Sequence, residues 1–360
     1  MKKITSLITQ LLIIIMLFLI IFSPKTYFSP NENRFLEKFP MFSLNNILNG
    51  SFMSRMSSYI ADHFPYREKF LNLKTNILKI SGQTRQNGVY YGKDGYLIEE
   101  YKKPVNAEKI IRVVNRFIEN NPNIQYDFML VPTSSYILND KLPQYNLNYD
   151  EKEVIKEYKK NLKANFIDIE NELLEQKNNE IYYKTDHHWT TRGAYIAYQK
   201  YCLNKGLNAN NYQFIKVTDS FYGTLYSKII DDSIKQDYIE KIIDNNIYQV
   251  NYQNQTKYTL YDDKYLNEKD KYSYFLSGNQ SIITINNSNI QDKELLIIKD
   301  SYANSFIPMI VPHYSKIHII DPRYYKKKIS DYIKENNIKN ILFLYNIGTI
   351  DDDLGILSIN

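Results

Sequence analysis

Cysteine is almost missing from this chain. Cys202 is the single one in 360 residues, so no internal disulfide can form. The fold must therefore rest on burial, and a chain of this length can bury a full core without covalent staples. Glycine and proline are sparse at 11 each, and there is one tryptophan, Trp189, among five histidines. Basic residues do not cluster beyond Lys326-Lys327-Lys328, and the net charge is only +5. A nucleic-acid groove needs a basic stripe, so that class is excluded. No internal repeat and no long low-complexity tract occurs. The 34 tyrosines are conspicuous by contrast. An AT-rich genome accounts for most of them, and sugar-stacking platforms are the functional alternative, because the ring is flat and apolar and its tip is polar.

One long apolar run exists, from Ile4 to Phe22 after Met1-Lys2-Lys3. A helix rises about 1.5 Å per residue, so a run of this length can cross a hydrocarbon core of about 30 Å. Lysines ahead of it favour a cytoplasmic N-terminus with the remainder outside. Phe22-Ser23-Pro24-Lys25 makes a poor cleavage site, so an uncleaved anchor over 1–23 is preferred to a removed signal. An exported chain without disulfides suits a bacterial cell envelope. A stalk with Pro24, Pro30 and Pro40 and then a helical stretch fill 24–80. The rest, 81–360, is one domain of α/β class.

Within that domain apolar strands alternate with helices. Tyr126–Val131, Phe166–Ile169, Leu295–Ile298, Lys316–Ile320 and Asn340–Leu344 are the predicted strands. Helices are expected at 105–119, 150–165, 190–203, from 302, and at 329–336. This rhythm predicts a parallel sheet covered on both faces, with functional residues just past the carboxyl ends of strands. Asp168, Asp186, Ser301, Asp321 and Asn346 fall at such ends. Residues 207–290 are polar and tyrosine-rich, and are read as an insertion of short strands and loops over the catalytic face.

Two segments carry chemistry. Ile297-Ile298-Lys299-Asp300-Ser301-Tyr302 is a strand, a turn and a helix start, which exposes a serine and aims helix amides at it. Its bland alternative is a serine N-cap. The G-x-S-x-G pattern of α/β hydrolases is absent. Asp186-His187-His188-Trp189 supplies the missing partners, since a serine is a poor nucleophile until a histidine takes its proton and a carboxylate holds the ring. Asp186 and His188 are two apart, so in a turn the carboxylate reaches Nδ1 and leaves Nε2 for the serine. The bland alternative here is a helix cap with solvent-facing histidines.

The two segments in this order resemble the bacterial DHHW family, itself similar to the alginate O-acetyltransferases of the AlgJ and AlgX type. Weaker matches are Glu32-Asn33-Arg34, Asp62-His63-Phe64-Pro65-Tyr66-Arg67 and Val131-Pro132. The resemblance implies an SGNH-hydrolase-like fold with a circularly permuted order of catalytic blocks. It implies Ser301 as nucleophile, His188 as general base and Asp186 as its orienting carboxylate. His187, Trp189, Tyr302 and Asn346 are the accompanying candidates for substrate or oxyanion contact. For Asn346 a loop cap is the preferred reading. Lys299 stands where the family has glycine, which bears on how closely a substrate approaches the turn. No metal or other cofactor is required. The implied partners are a polysaccharide acceptor and a multispanning membrane O-acyltransferase that supplies the acyl group.

The implied activity is extracytoplasmic O-acyl transfer, with acetylation of a cell-envelope or secreted polysaccharide through an acyl-serine intermediate as the expected case. An esterase of the same fold differs only in the second acceptor. A metal site on Asp186, His187, His188 and His313 conflicts with the usual ligand spacing. A non-catalytic polysaccharide-binding scaffold is the remaining class. His63 and His318 are read as structural, and Asp321 with Arg323 as a surface ion pair.

Overall fold

Alternate residues of each apolar strand must point to opposite faces, and here both faces are apolar. That pattern dictates a sheet buried between two layers. The computed structural model describes Lys2 to Asn360, and it contains this sheet with eight strands. We number them β1 (Gln125–Val131), β2 (Asn165–Phe166), β3 (Gln249–Asn251), β4 (Thr256–Lys257), β5 (Ile282–Asn286), β6 (Glu294–Lys299), β7 (Lys316–Ile320) and β8 (Asn340–Asn346). Their spatial order is β4-β3-β5-β7-β6-β8-β1-β2.

The five strands from β7 to β2 run parallel, as the βα rhythm predicts. The other three are antiparallel additions and come from the stretch read as an insertion. That stretch therefore builds sheet as well as loops. Its Ile283 and Ile285 are buried on one face while Ile282, Thr284 and Asn286 on the other are only partly so, which is the pattern of a strand closing one side of a core. It also forms a hairpin of Phe214–Phe221 with Asp237–Ile242. Strand β2 is shorter than predicted: Asp168 accepts from the Glu170 amide at 3.1 Å in a turn that leads into a helix at Glu170–Glu175.

Helices cover both faces: α1 (Ala107–Asn120), α2 (Glu151–Asn161), α3 (Thr191–Lys205), α4 (Ala303–Ile310) and α5 (Ile329–Glu335). Leu295 and Ile297 of β6 pack with Ala197 and Tyr201 of α3 and Phe306 of α4. Leu296 and Ile298 face the other way, with Val114 of α1, Ile155 of α2 and Ile333 of α5. Helix α3 starts on the Thr190 hydroxyl, which accepts from the Gly193 amide at 3.3 Å, and stops at Gly206 in the left-handed region. Gly193 also lets the helix lie on the chain beside it, since a Cβ there would meet the Ile181 carbonyl oxygen at 2.3 Å. Strand β6 lies near the middle of the sheet, so the turn leaving its carboxyl end is flanked by strands on both sides.

The chain divides into two compact units: one of residues 1–87 with 226–234, the other of 88–225 with 235–360. The first holds a helix at Lys2–Phe22, whose stretch Ile4–Phe22 is long and apolar enough to cross a membrane. It also brings together two of the short motifs. Arg34 donates to Asp62 at 3.0 Å and to Glu32 at 2.9 Å, and Arg67 donates to the same Glu32 at 3.1 Å. His63 contacts the Glu37 carbonyl at 2.9 Å, a structural role in agreement with the reading above. Segment 226–234 is tied to this unit by Lys79 on Asp231 at 2.8 Å.

Ile297 has no exposed surface and lies in the centre of the sheet. Ile297→Ala is expected to lower the unfolding free energy by about 2–5 kcal/mol, visible as a lower urea midpoint with an unchanged slope.

Candidate active site

The Asp-His-His-Trp segment is the tip of a tight loop. The Thr190 amide donates to Ile181 at 2.9 Å, the Tyr183 amide to His188 at 3.2 Å, and Tyr182 pairs with Trp189. The base of the loop is held by a carboxylate. Asp237 accepts from the Lys184 amide at 2.9 Å and from the Thr185 amide and hydroxyl at 2.7 and 2.6 Å. Burial pushes the Asp237 carboxyl up to about 6, with the Thr185 hydrogen bonds opposing.

At the tip, Asp186 Oδ1 accepts from the His188 amide at 3.0 Å and from His188 Nδ1 at 2.5 Å. The other ring nitrogen, Nε2, is 2.7 Å from Ser301 Oγ. Asp186 Oδ2 accepts from the Thr224 amide at 2.8 Å and the Thr224 hydroxyl at 3.1 Å. The ring of Tyr272 lies flat on His188, with centroids 3.8 Å apart and planes 11° apart. Its hydroxyl meets Ser305 Oγ at 3.0 Å, and Ser305 also accepts from the Trp189 indole at 3.0 Å. The imidazole is thus fixed by a carboxylate at one edge, a serine at the other and a ring on its face.

Ser301 sits on an equally determined turn. Asp300 Oδ1 accepts from the Tyr302 amide at 2.9 Å, and Oδ2 accepts from the Asn346 amide at 2.8 Å and from the Thr349 hydroxyl. The Asp300 carboxyl is buried, which raises it, while those donors oppose. Asp300 therefore ties the turn to the end of β8 and takes no part in holding the imidazole. The Ser301 amide has no acceptor among the described residues, and helix α4 begins just beyond it. That is the position from which an amide can meet an oxyanion.

Charge is distributed consistently with this geometry. Burial works to raise the Asp186 carboxyl, but the two histidines and the Thr224 amide outweigh it and hold it well below the usual carboxylate range. Burial, together with His187, pushes His188 below the ordinary imidazole value, against the pull of Asp186. At neutral pH the carboxylate is ionised and the imidazole neutral. That is the resting state of a base.

Other residues singled out by sequence land differently. Trp189 has no exposed surface, and its indole is spent on the Tyr302 carbonyl and Ser305. Tyr302 is 1% exposed, and its hydroxyl donates to the His187 carbonyl. Both position the loop and cannot meet a substrate, because their aromatic bulk fills the space between loop and turn. Asn346 caps the short helix after β8, accepting from the Gly348 amide at 2.9 Å, and donates to the Val131 and Pro132 carbonyls. His187 alone of these four keeps exposure. Asp168 pairs with Lys159 away from the loop and turn. His313 bonds the Tyr198 hydroxyl at 2.8 Å, and His318 bonds Tyr332 at 2.7 Å.

Asp321 and Arg323 are a correction. Asp321 is wholly buried and bound by two guanidinium nitrogens at 2.9 and 2.6 Å, so this is no surface pair. Lys299 is also wholly buried. Its ammonium donates to Asn304 at 2.6 Å and Asn279 at 3.2 Å and lies 4.0 Å from Asp321, while burial lowers it to about 8. It stands under the turn, out of any substrate's path.

One atom each of Asp186, His187 and His188 lie within 4.8 Å of one another, as a metal would require. The ligand atoms are already engaged: Asp186 by four hydrogen bonds, both nitrogens of His188, and His187 Nδ1 by Thr224 at 2.7 Å. Only His187 Nε2 is left, which does not fit a closed ligand set.

Residues 75–320 match the DHHW protein family. The chain belongs to the DHHW family. A DHHW family protein from Eubacterium siraeum has a similar crystal structure, with TM-score 0.67 and 25% identity over 76% of this chain and 96% of that one. PatB1 of Bacillus cereus, solved with a sulfonyl adduct, gives TM-score 0.61 and 22% identity over 76% and 98%. The O-acetyltransferase domain of Pseudomonas putida AlgJ is more distant, at TM-score 0.47 and 15% identity over 74% and 93%. No curated protein matches the chain.

In this DHHW protein the residues that sequence reasoning misses are Thr224, Gly223, Tyr272 and Asp237. All lie in the inserted stretch, and no spacing links them to Asp186. The nearest signal is glycine itself, scarce in this chain. A Cβ on Gly223 would sit 2.2 Å from the Asp186 Cβ. Gly223→Ala is therefore expected to push Asp186 off His188 without unfolding the sheet. The downfield proton resonance of a carboxylate-bound Nδ1–H should vanish, while the far-UV circular dichroism stays unchanged.

Proposed function

We propose that this protein transfers an acyl group, acetyl in the first instance, to a hydroxyl of a cell-envelope or secreted polysaccharide through an acyl-Ser301 intermediate. The observation that carries the reading is the aligned set of Ser301 Oγ, His188 and Asp186, with separations of 2.7 and 2.5 Å. A buried serine, neutral imidazole and ionised carboxylate at these distances form a nucleophile with its base.

In the first half, Ser301 Oγ attacks the acyl carbon while its proton passes to His188 Nε2. Asp186 stabilises the imidazolium, and the Ser301 amide faces the developing oxyanion. The donor C–O bond breaks, and the leaving oxygen takes the proton from His188. In the second half, a sugar hydroxyl gives its proton to His188 and attacks the same carbon. Oγ leaves and recovers the proton, so the enzyme returns unchanged. PatB1, which shares the fold, carries a sulfonyl adduct in its crystal structure, and this suggests a sulfonyl fluoride as the probe.

The apolar N-terminal helix supports an anchored, extracytoplasmic location, with the lysines before it inside. Activated acyl donors are cytosolic, so a multispanning membrane O-acyltransferase would have to pass the group across. The anchor keeps the two together.

Ser301→Ala and His188→Ala are each expected to reduce acetyl release from a chromogenic ester by at least about 10³-fold, and Asp186→Asn by about 10⁴-fold, all three still folded by far-UV circular dichroism and Ser301→Ala melting near wild type. Phenylmethylsulfonyl fluoride should add mass to Ser301 in the wild type alone. A folded Ser301→Ala protein of full activity sinks the proposal, and a wild type inert to both reagents points to a binding scaffold. His188 must be neutral to act, so activity should persist above its lowered pKa and fall as pH drops through it. The acid midpoint should lie below about 6.5, the ordinary imidazole value, when ester cleavage is followed against pH.

A further inference from the structure

His187 is the part of the site that the triad does not use. Its ring lies against His188 with centroids 3.9 Å apart, and its side chain keeps 23% of its surface. Its backbone is held, because its carbonyl accepts the Tyr302 hydroxyl. Its Nδ1 is 2.7 Å from Thr224 Oγ1.

The Thr224 contact decides where the ring proton is. A threonine hydroxyl has one hydrogen, and an ionised carboxylate can only accept. The Thr224 hydroxyl donates to Asp186 Oδ2 at 3.1 Å, so toward His187 it offers lone pairs. Nδ1 of His187 is then the donor, and a neutral ring protonated there has a bare Nε2. That nitrogen has no partner among the described residues. In the acyl-enzyme Ser301 Oγ carries the acyl group, so His188 Nε2 is also bare. Both Nδ1 atoms face Asp186 Oδ1, at 2.5 and 3.7 Å, and the rings lie 3.9 Å apart, so the two Nε2 acceptors fall at the same end of the ring pair.

We propose that His187 Nε2 is an acceptor subsite, taking a hydrogen bond from the hydroxyl next to the attacking one, so that the two histidines read a vicinal diol of the sugar. This rests on the acyl-transfer reading above and names its acceptor class. His188 removes the proton of the attacking hydroxyl, and His187 removes none. A vicinal diol gives each ring a hydroxyl of its own, whereas a mono-ol leaves the His187 nitrogen without a donor from the acceptor, so His187 favours the diol.

The test uses the full chain in detergent, with 4-nitrophenyl acetate as donor. Either trans-cyclohexane-1,2-diol or cyclohexanol is the acceptor. Mass spectrometry gives the ratio of acetylated acceptor to free acetate. Both products come from one acyl-enzyme, so a general loss of activity cancels. Wild type should acetylate the diol in preference to the mono-ol. His187→Phe should cut that preference about five- to tenfold, the worth of one hydrogen bond. His187→Gln retains an acceptor oxygen and should keep part of it. An unchanged preference in His187→Phe, or none in the wild type, overturns the subsite while the acyl-transfer reading stands. Failure of the wild type to form acetyl-Ser301 overturns both.

Discussion

Everything at this site depends on one buried carboxylate. Asp186 is 2% exposed, and an ion removed from water to that degree is tolerable only when its lone pairs are filled. Its donors come from two distant places: the amide and ring of His188 on its own loop, and the amide and hydroxyl of Thr224 in the inserted stretch. Satisfying Asp186 and aiming the imidazole are therefore one event. Removing either set of donors leaves a buried charge unpaired as well as a ring unanchored. That is why the inserted stretch cannot be a passive cover.

The same device recurs along this end of the sheet. Asp237 closes the base of the histidine loop, and Asp300 closes the serine turn onto β8. Asp321 binds Arg323, with the Lys299 ammonium nearby. Each carboxylate ties a loop by accepting from backbone amides or cations, and each stands close behind a strand end or turn. Such groups cost desolvation and stabilise little on balance. What they supply is direction. A nucleophile must meet its base within tenths of an ångström, and hydrogen-bonded carboxylates set angles that apolar packing alone leaves free.

The parallel core was legible because each of its strands is a local apolar run between helical periods, and local patterns survive without knowledge of the whole. The serine turn and the Asp-His pair were legible for a related reason: each chemical role is written in adjacent residues. The side chains that hold them were not. Thr224 opens a short helix at Thr224–Lys228 and Tyr272 lies in a helical turn at Lys271–Tyr274, and no short window of sequence links either to the histidine loop. Tyr272 is one of 34 tyrosines and carries nothing in its neighbours to mark it. Trp189 and Tyr302 misled in the opposite sense. They adjoin His188 and Ser301 in sequence, but their own side chains point into the core. Asp321 misled because the solvent-facing ion pair is the common case, whereas β7 ends inside the protein.

Burial also bears on what the second acceptor is. Ser301 and His188 retain 8% and 5% of their surface, while His187 is the more open of the pair. Its rotamer is held by Thr224, and that same threonine is committed to Asp186, so the outer histidine and the buried carboxylate share one support. An acceptor that engages His187 therefore presses on a group already immobile, and little ordering entropy remains to be lost. Rigid polar atoms of this kind discriminate between hydroxyl patterns, because a partner that leaves them unpaired forfeits the hydrogen bond outright.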